Sequence, residues 1–282
     1  NGASLSDIEM NANLSLYDKI PTAEIHKILI KSASDLISTA TPNYQYVAAR
    51  LLSMELRKEV WGYGDKPTDF LVFIQRNIDN GVYDPHMQEK WSPEQIDSFG
   101  KYITHSRDDN YTYAGLQQLI DKYLVKNRST GDIYETPQFA YMCIAMCLFE
   151  TPDEVKQAYD AYSTFKINLP TPIMAGVRTN IRQFASCVLV DIDDNLDAIF
   201  SSIHAVGKYT ARRAGIGLNI GRMRPINSPI RGGEVIHTGL IPYLKNFESC
   251  VKSTSQNGLR GGSATVHLPF WHYEVEDVMV LK

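Results

Sequence analysis

The chain has 282 residues, 44% of them hydrophobic and 21% charged, with a formal net charge of −4 at pH 7. This is the composition of an ordinary globular protein with room for roughly two domains, and its charge gives no general electrostatic case for nucleic acid or an anionic membrane surface. No apolar run approaches the ~20 residues that cross a bilayer, no signal-peptide pattern opens the chain, and its cysteines, Cys143, Cys147, Cys187 and Cys250, are too few and scattered for a secreted disulfide scaffold. The expected location is therefore a reducing cytoplasm.

The first part reads as helices. Thr22 is placed to cap a helix with an apolar face of Ile25, Ile28, Leu29 and Leu36. Pro42 starts a second helix through Tyr46, Val47, Leu51, Leu52, Met54 and Val60. A third covers Asp69 to Ile78 and stops at Asn80-Gly81. Ser92-Pro93-Glu94 opens another, with proline at the first helical position. Tyr113 to Leu124 follows, then a polar turn at Asn127–Gly131. Glu135 to Phe149 is apolar nearly all round, which predicts a buried helix. Pro152 to Phe165 is amphipathic.

The pattern changes near Leu169-Pro-Thr-Pro-Ile-Met174. Cys187–Val190 reads as a buried strand. Asp194 is expected to cap a helix bearing Leu196, Ile199, Phe200, Ile203 and Val206. Ile216–Ile220 is the next strand. Pro242 opens a helix with Leu244, Phe247 and Val251 inward. Ala264–Leu268 is a third strand and Tyr273–Leu281 a short helix. Strand and helix alternate, so the sheet should be parallel; three strands cannot close a barrel by themselves.

Two loops in this half carry arginine among glycines. Gly221–Gly233 holds Arg222, Arg224 and Arg231; Ser253–Ser263 holds Arg260 with Gly258, Gly261 and Gly262. Free backbone N–H groups and planar guanidinium forks suit a phosphorylated ligand, and both loops are expected at the ligand-binding ends of α/β units. A polar connector has the same composition. Other signals are weak. Gly215-x-Gly217-x-x-x-Gly221 lies in and after a strand, not in a turn opening a helix. Cys143 and Cys147 suit a packed core, and the histidines form no metal pattern. By composition Cys187 is a buried thiol; the other reading is a redox or radical thiol at a barrel mouth.

Taken together, several runs resemble the large, catalytic subunit of class I ribonucleotide reductase, in its bacterial and phage forms. They are Asn43-Tyr-Gln-Tyr-Val-Ala-Ala-Arg50, Lys122-Tyr-Leu-Val125, Ser163–Met174, Arg182–Cys187, Arg213-Ala-Gly-Ile-Gly217, Ser228-Pro-Ile-Arg-Gly-Gly-Glu234 and Val251–Gly262. The resemblance covers essentially the whole chain. It implies a partial ATP-cone over residues 1–62, a helical domain over 63–166, and the first part of an α/β barrel over 167–282. It implies reduction of ribonucleoside diphosphates by thiyl-radical chemistry, with Cys187 as one member of the reducing cysteine pair. Thr171, Ser186, Ala214 and Gly215 match substrate-contacting positions, with Gln256 and Arg260 on the segment that reports the effector to the substrate. Asp194, Arg224 and Arg231 match a specificity site for effectors such as ATP, dATP, dTTP or dGTP; Thr22 and Lys58 match activity-site positions of the cone.

The resemblance also implies partners: a homodimer of the large subunit through Leu196–Tyr209 and Leu240–Val251, a small subunit holding a diiron-tyrosyl radical, and thioredoxin or glutaredoxin as reductant. No metal or resident cofactor is expected in this chain. It reads as the N-terminal piece of a split or truncated subunit, inactive without the remaining C-terminal piece that holds the radical cysteine. A non-catalytic nucleotide-sensing dimerisation module is the alternative.

Overall fold

Helix boundaries follow the local chemistry closely. In the computed structural model, which describes residues 2–62, 66–127, 129–182, 184–255 and 261–281, the helices are α1 (Leu5–Asn13), α2 (Thr22–Asp35), α3 (Tyr44–Trp61), α4 (Phe70–Asp79), α5 (His86–Lys90), α6 (Pro93–Tyr102), α7 (Tyr113–Lys122), α8 (Pro137–Leu148), α9 (Pro152–Ser163), α10 (Thr171–Gly176), α11 (Leu196–Ala211), α12 (Ile241–Thr254) and α13 (Val275–Met279). Ser92 and Thr151 each form a reciprocal capping box, with Gln95 and Glu154, ahead of a proline in the first turn of α6 and α9, satisfying donors the helix leaves open. Asp69 caps α4 by accepting from the Val72 amide.

Two expected caps are corrected. Thr22 is the first helical residue of α2, whose cap position is Pro21 with no side-chain bond. Asp194 does not cap α11: Asn195, one residue nearer the helix, accepts from the Ala198 amide, and the Asp194 carboxylate is turned to an arginine instead.

The chain divides into two compact units, Asn1–Leu169 with Ile173–Asn180, and Pro170–Pro172 with Ile181–Lys282. The first is helical. Its larger core surrounds α8, whose Phe139, Met142, Cys143, Ile144 and Met146 are all buried. Phe70, Phe73 and Phe139 pack ring against ring there. A smaller cluster gathers Ile8, Ala33, Tyr44 and Ala48 from α1 to α3.

The second unit holds a parallel three-stranded sheet in the order β1-β2-β5, with β1 (Cys187–Asp191), β2 (Gly215–Asn219) and β5 (Ala264–His267). Between β2 and α12, β3 (Pro229–Ile230) and β4 (Val235–Ile236) form a small antiparallel hairpin. Ile192, Ile199, Val206, Ile216, Leu218, Leu244, Phe247 and Val251 make the core between sheet and helices. The opposite face carries Cys187, Leu189 and Asp191, then Gly215, Gly217 and Asn219, then Thr265 and His267, as the pairing register and the period of two require.

Here the expectation that Cys187–Val190 is a buried strand fails. Central β2 is buried over Gly215–Leu218, whereas Cys187, Leu189 and Asp191 of β1 and all of β5 are exposed. These two lie at the sheet edges, and among the described residues helices pack on one face only.

Candidate functional site

The chemistry-bearing residues sort to opposite ends of the same strands. At the start of the sheet, Cys187 is paired in register with Gly215. The Gly215 amide donates to Ser186 O at 2.8 Å, and the Ile216 amide to Ser263 O at 3.1 Å. These bonds bring Ser186, Cys187, Ala214, Gly215 and Ser263 side by side. The Cys187 thiol is exposed, not buried as its composition predicts: it starts an edge strand and points to the uncovered face. Its Sγ accepts from Ser186 Oγ at 3.9 Å. Glycine opposite it leaves space beside the sulfur. Thr171 falls in the same unit. Gln256 and Arg260 lie outside the described residues.

Beyond the far end of β1, whose length is roughly 13 Å at ~3.3 Å per residue, stand Asp194 and Arg224. Arg224 Nε donates to Asp194 Oδ2 at 2.7 Å, and the Arg224 amide to Asp194 Oδ1 at 3.1 Å. The pair is about two-thirds buried, with side-chain exposures of 35% and 31%. Arg231 sits at the turn of the β3–β4 hairpin with φ 51°. Its neighbours Gly232 and Gly233, at φ 69° and 96°, complete a turn that side chains other than glycine resist.

Arg222, which motif matching left without a role, bridges Asp191 at 3.0 Å and Asp193 at 2.9 Å. Asn219 ties the same corner together: its Nδ2 donates to Asp191 and its Oδ1 accepts from the Gly221 amide. Both arginine loops are expected at the ligand-binding ends of α/β units; Gly221–Gly233 does follow the end of β2, whereas Ser253–Ser263, of which 256–260 lie outside the described residues, comes between α12 and the start of β5. Helix α12 runs back between the two ends.

Sequence reasoning missed Glu274, 2% exposed. Its carboxylate accepts from the Ile226 amide at 2.8 Å and the Leu240 amide at 3.1 Å. An acid set among Leu268, Phe270, Trp271, Tyr273 and Val275 was the available signal. Thr22 and Lys58, both exposed, lie on the α2–α3 helix pair, whose register is marked by His26 Nε2 against Leu51 O at 2.7 Å. Among the described residues no cluster of His, Cys, Asp or Glu is arranged to hold a metal ion, and no helix is long and apolar enough to cross a membrane.

The described residues thus form a helical unit and an α/β unit whose parallel sheet starts at an exposed cysteine and is followed by an Asp–Arg pair. Residues 109–182 match the family description "Ribonucleotide reductase, all-alpha domain" and residues 185–282 match "Ribonucleotide reductase, barrel domain". The chain is 49% identical over 285 residues to the "Ribonucleoside-diphosphate reductase 1 subunit alpha" of Escherichia coli strain K12, covering 99% of this chain and 37% of that protein. It is 49% identical over 288 residues to the protein of that name from Salmonella typhimurium, covering 100% of this chain and 38% of that one. To the "Ribonucleoside-diphosphate reductase subunit alpha" of Enterobacteria phage T4 it is 47% identical over 288 residues, with 100% and 38% covered. The chain belongs to the ribonucleotide reductase large-subunit family, and it spans less than two-fifths of the length of these curated relatives.

Proposed function

We propose that this chain supplies the specificity-effector site and one reducing thiol to a ribonucleoside-diphosphate reductase. The observation that carries the reading is the placement of Cys187 and the Asp194–Arg224 pair at the two ends of one strand–loop unit. A nucleotide held at one end then acts on a substrate at the other through elements packed on the same small core.

The balance of the reaction is simple. The 2′-hydroxyl of the ribose leaves as water, hydrogen takes its place, and two thiols supply two electrons and two protons as they join in a disulfide. Cys187 is one of those thiols. In that role it gives its electrons to the ribose and is returned to the thiol by a reductant such as thioredoxin or glutaredoxin. A second redox cysteine, a radical cysteine and a small subunit that generates the radical complete the enzyme. Ser186, Ala214 and Gly215 line the substrate beside the sulfur, with Thr171, Gln256 and Arg260 as further contacts. Asp194 takes ribose hydroxyls of an effector while Arg224 and Arg231 take its phosphates. Without nucleotide, Asp194 and Arg224 satisfy each other. The domain limits at residues 62 and 166, the activity site at Thr22 and Lys58, the homodimer and the cytoplasmic location belong to this same reading.

Two measurements test it. In the complete enzyme, Cys187→Ser should abolish turnover driven by an external dithiol; full activity refutes the thiol's role. Equilibrium dialysis with dTTP should show binding to the wild type that Arg224→Ala loses; equal binding by both refutes the effector site.

A further inference from the structure

Within Gly221–Gly239 the arginine loop is held by the β3–β4 hairpin and the backbone bonds beside it, from the Asn227 amide to His237 O and from the His237 amide to Ser228 O, and Arg224 is tied to Asp194. Further fixed points come from the segment after β5. His272 Nε2 meets Met223 O at 3.0 Å, directly before Arg224. The Glu274 amide donates to His272 Nδ1 at 3.2 Å, which leaves the proton on Nε2 as the donor to that carbonyl. The Glu274 carboxylate then takes the amides of Ile226, two residues after Arg224, and Leu240, at the head of α12. One buried carboxylate thus closes the stretch from Ile226 to Leu240, which carries Arg231 and begins two residues after Arg224. Gly239 is shaped around it: φ is +90°, and a Cβ there would lie 2.4 Å from Glu274 Oε1.

A buried carboxylate with no neutralising cation needs such donors. The Leu240 amide at the N-terminus of α12 supplies one, helped by the helix dipole, and the Ile226 amide in the arginine loop supplies the other. Satisfying α12 alone would not require the bond to Ile226. That second bond makes the carboxylate a staple between the arginine loop and the helix.

We infer that Glu274 is a positioning residue for the effector site, holding the Arg224–Arg231 loop in the arrangement that receives a nucleoside triphosphate. This rests on the effector-site reading above. A Gln at 274 keeps the size but offers one carbonyl and one NH2, so one of the two amides faces another donor. If the loop then holds its receptive arrangement about a tenth of the time, the apparent dissociation constant rises about tenfold. Because Glu274 sets the phosphate arginines and touches no base, the rise should be the same for effectors with different bases.

The test is equilibrium dialysis of dTTP and of dGTP on wild-type and Glu274→Gln protein in the full catalytic assembly, with melting temperature recorded beside it. The expected result is about tenfold weaker binding of both nucleotides with effector-saturated turnover retained. Wild-type protein that binds neither nucleotide refutes the effector-site reading itself. Wild-type binding with an unchanged or single-nucleotide effect in Glu274→Gln overturns the inference alone. A lowered turnover plateau that dTTP cannot restore also overturns it, since that marks a merely structural acid. If the variant does not fold, hydrogen exchange on wild-type protein decides. Slow exchange at Ile226 and Leu240 that slows further with dTTP supports the staple. Exchange at free-loop rates overturns it.

Discussion

Breaking the buried ion pair of the helical unit should unfold it at markedly lower denaturant. Arg178 and Glu135 are both fully buried. Arg178 donates through Nε and one terminal nitrogen to Glu135, and to the carbonyls of Met174 at 2.6 Å and Tyr123 at 3.1 Å. Glu135 also accepts from the Val125 amide at 2.6 Å and from the Tyr83 hydroxyl. Burial alone would push the guanidinium down, but the charge and hydrogen bonds of Glu135 hold it above its ordinary value. Glu135→Gln leaves that charge buried without a counter-ion, a loss of about 3–5 kcal/mol against a total stability of about 5–15 kcal/mol. With a urea dependence of about 1–3 kcal/mol per molar, the midpoint should drop by at least about 1 M. Trp91 reports it: it is 3% exposed, and its indole donates to Met146 O at 3.0 Å inside the helical core. Replacing both partners by Leu and Met should be no worse than Glu135→Leu alone, since no charge is then stranded. A drop below about 0.3 M, or a double variant clearly less stable than Glu135→Leu, refutes the reasoning.

Two further outcomes follow from the geometry. Burial raises Asp108 to about 6, while burial, aided by the charge of Arg57, lowers His105 to about 4. From pH about 4 to about 6 the folded chain keeps an Asp108 proton that the unfolded chain releases, so that contribution falls as pH rises. Over the same range the unfolded chain binds a His105 proton that the folded chain refuses, so that one rises. The two oppose each other, and chemical denaturation of His105→Gln should show stability falling across this window while Asp108→Asn shows it rising; slopes of the same sign would contradict burial as the cause. Gly221→Ala brings a Cβ within 2.5 Å of Pro269 Cδ, so thermal melting should register a loss of about 1–3 kcal/mol together with weaker dTTP binding; a neutral result would mean that the loop is not held against Pro269.

Much of the helical half was readable because its signals are local. Ser92-Pro93 and Thr151-Pro152 announce their helices, and the unbroken apolar run of α8 can only be a core element. The exposed Cys187 was not readable, because burial of a strand depends on what covers its second face, a property of distant chain. Asp194 was misread as a cap because Asn195 beside it has the same chemistry, and only the fold decides which one meets the helix amides. The β3–β4 hairpin is two residues per strand with a proline in it, too short for any periodicity. Glu274 acts across 34 and 48 residues, on amides of Leu240 and Ile226, and no pattern along the chain encodes such a bond.

The most direct measurement is the oxidation state of Cys187 after one turnover. The complete enzyme, reduced, freed of external dithiol and mixed with one equivalent of ribonucleoside diphosphate and effector, is quenched in an alkylating agent and mapped by peptide mass. A Cys187 disulfide formed in proportion to the deoxyribonucleotide produced is the predicted result. Product formed while Cys187 stays fully alkylated would contradict it.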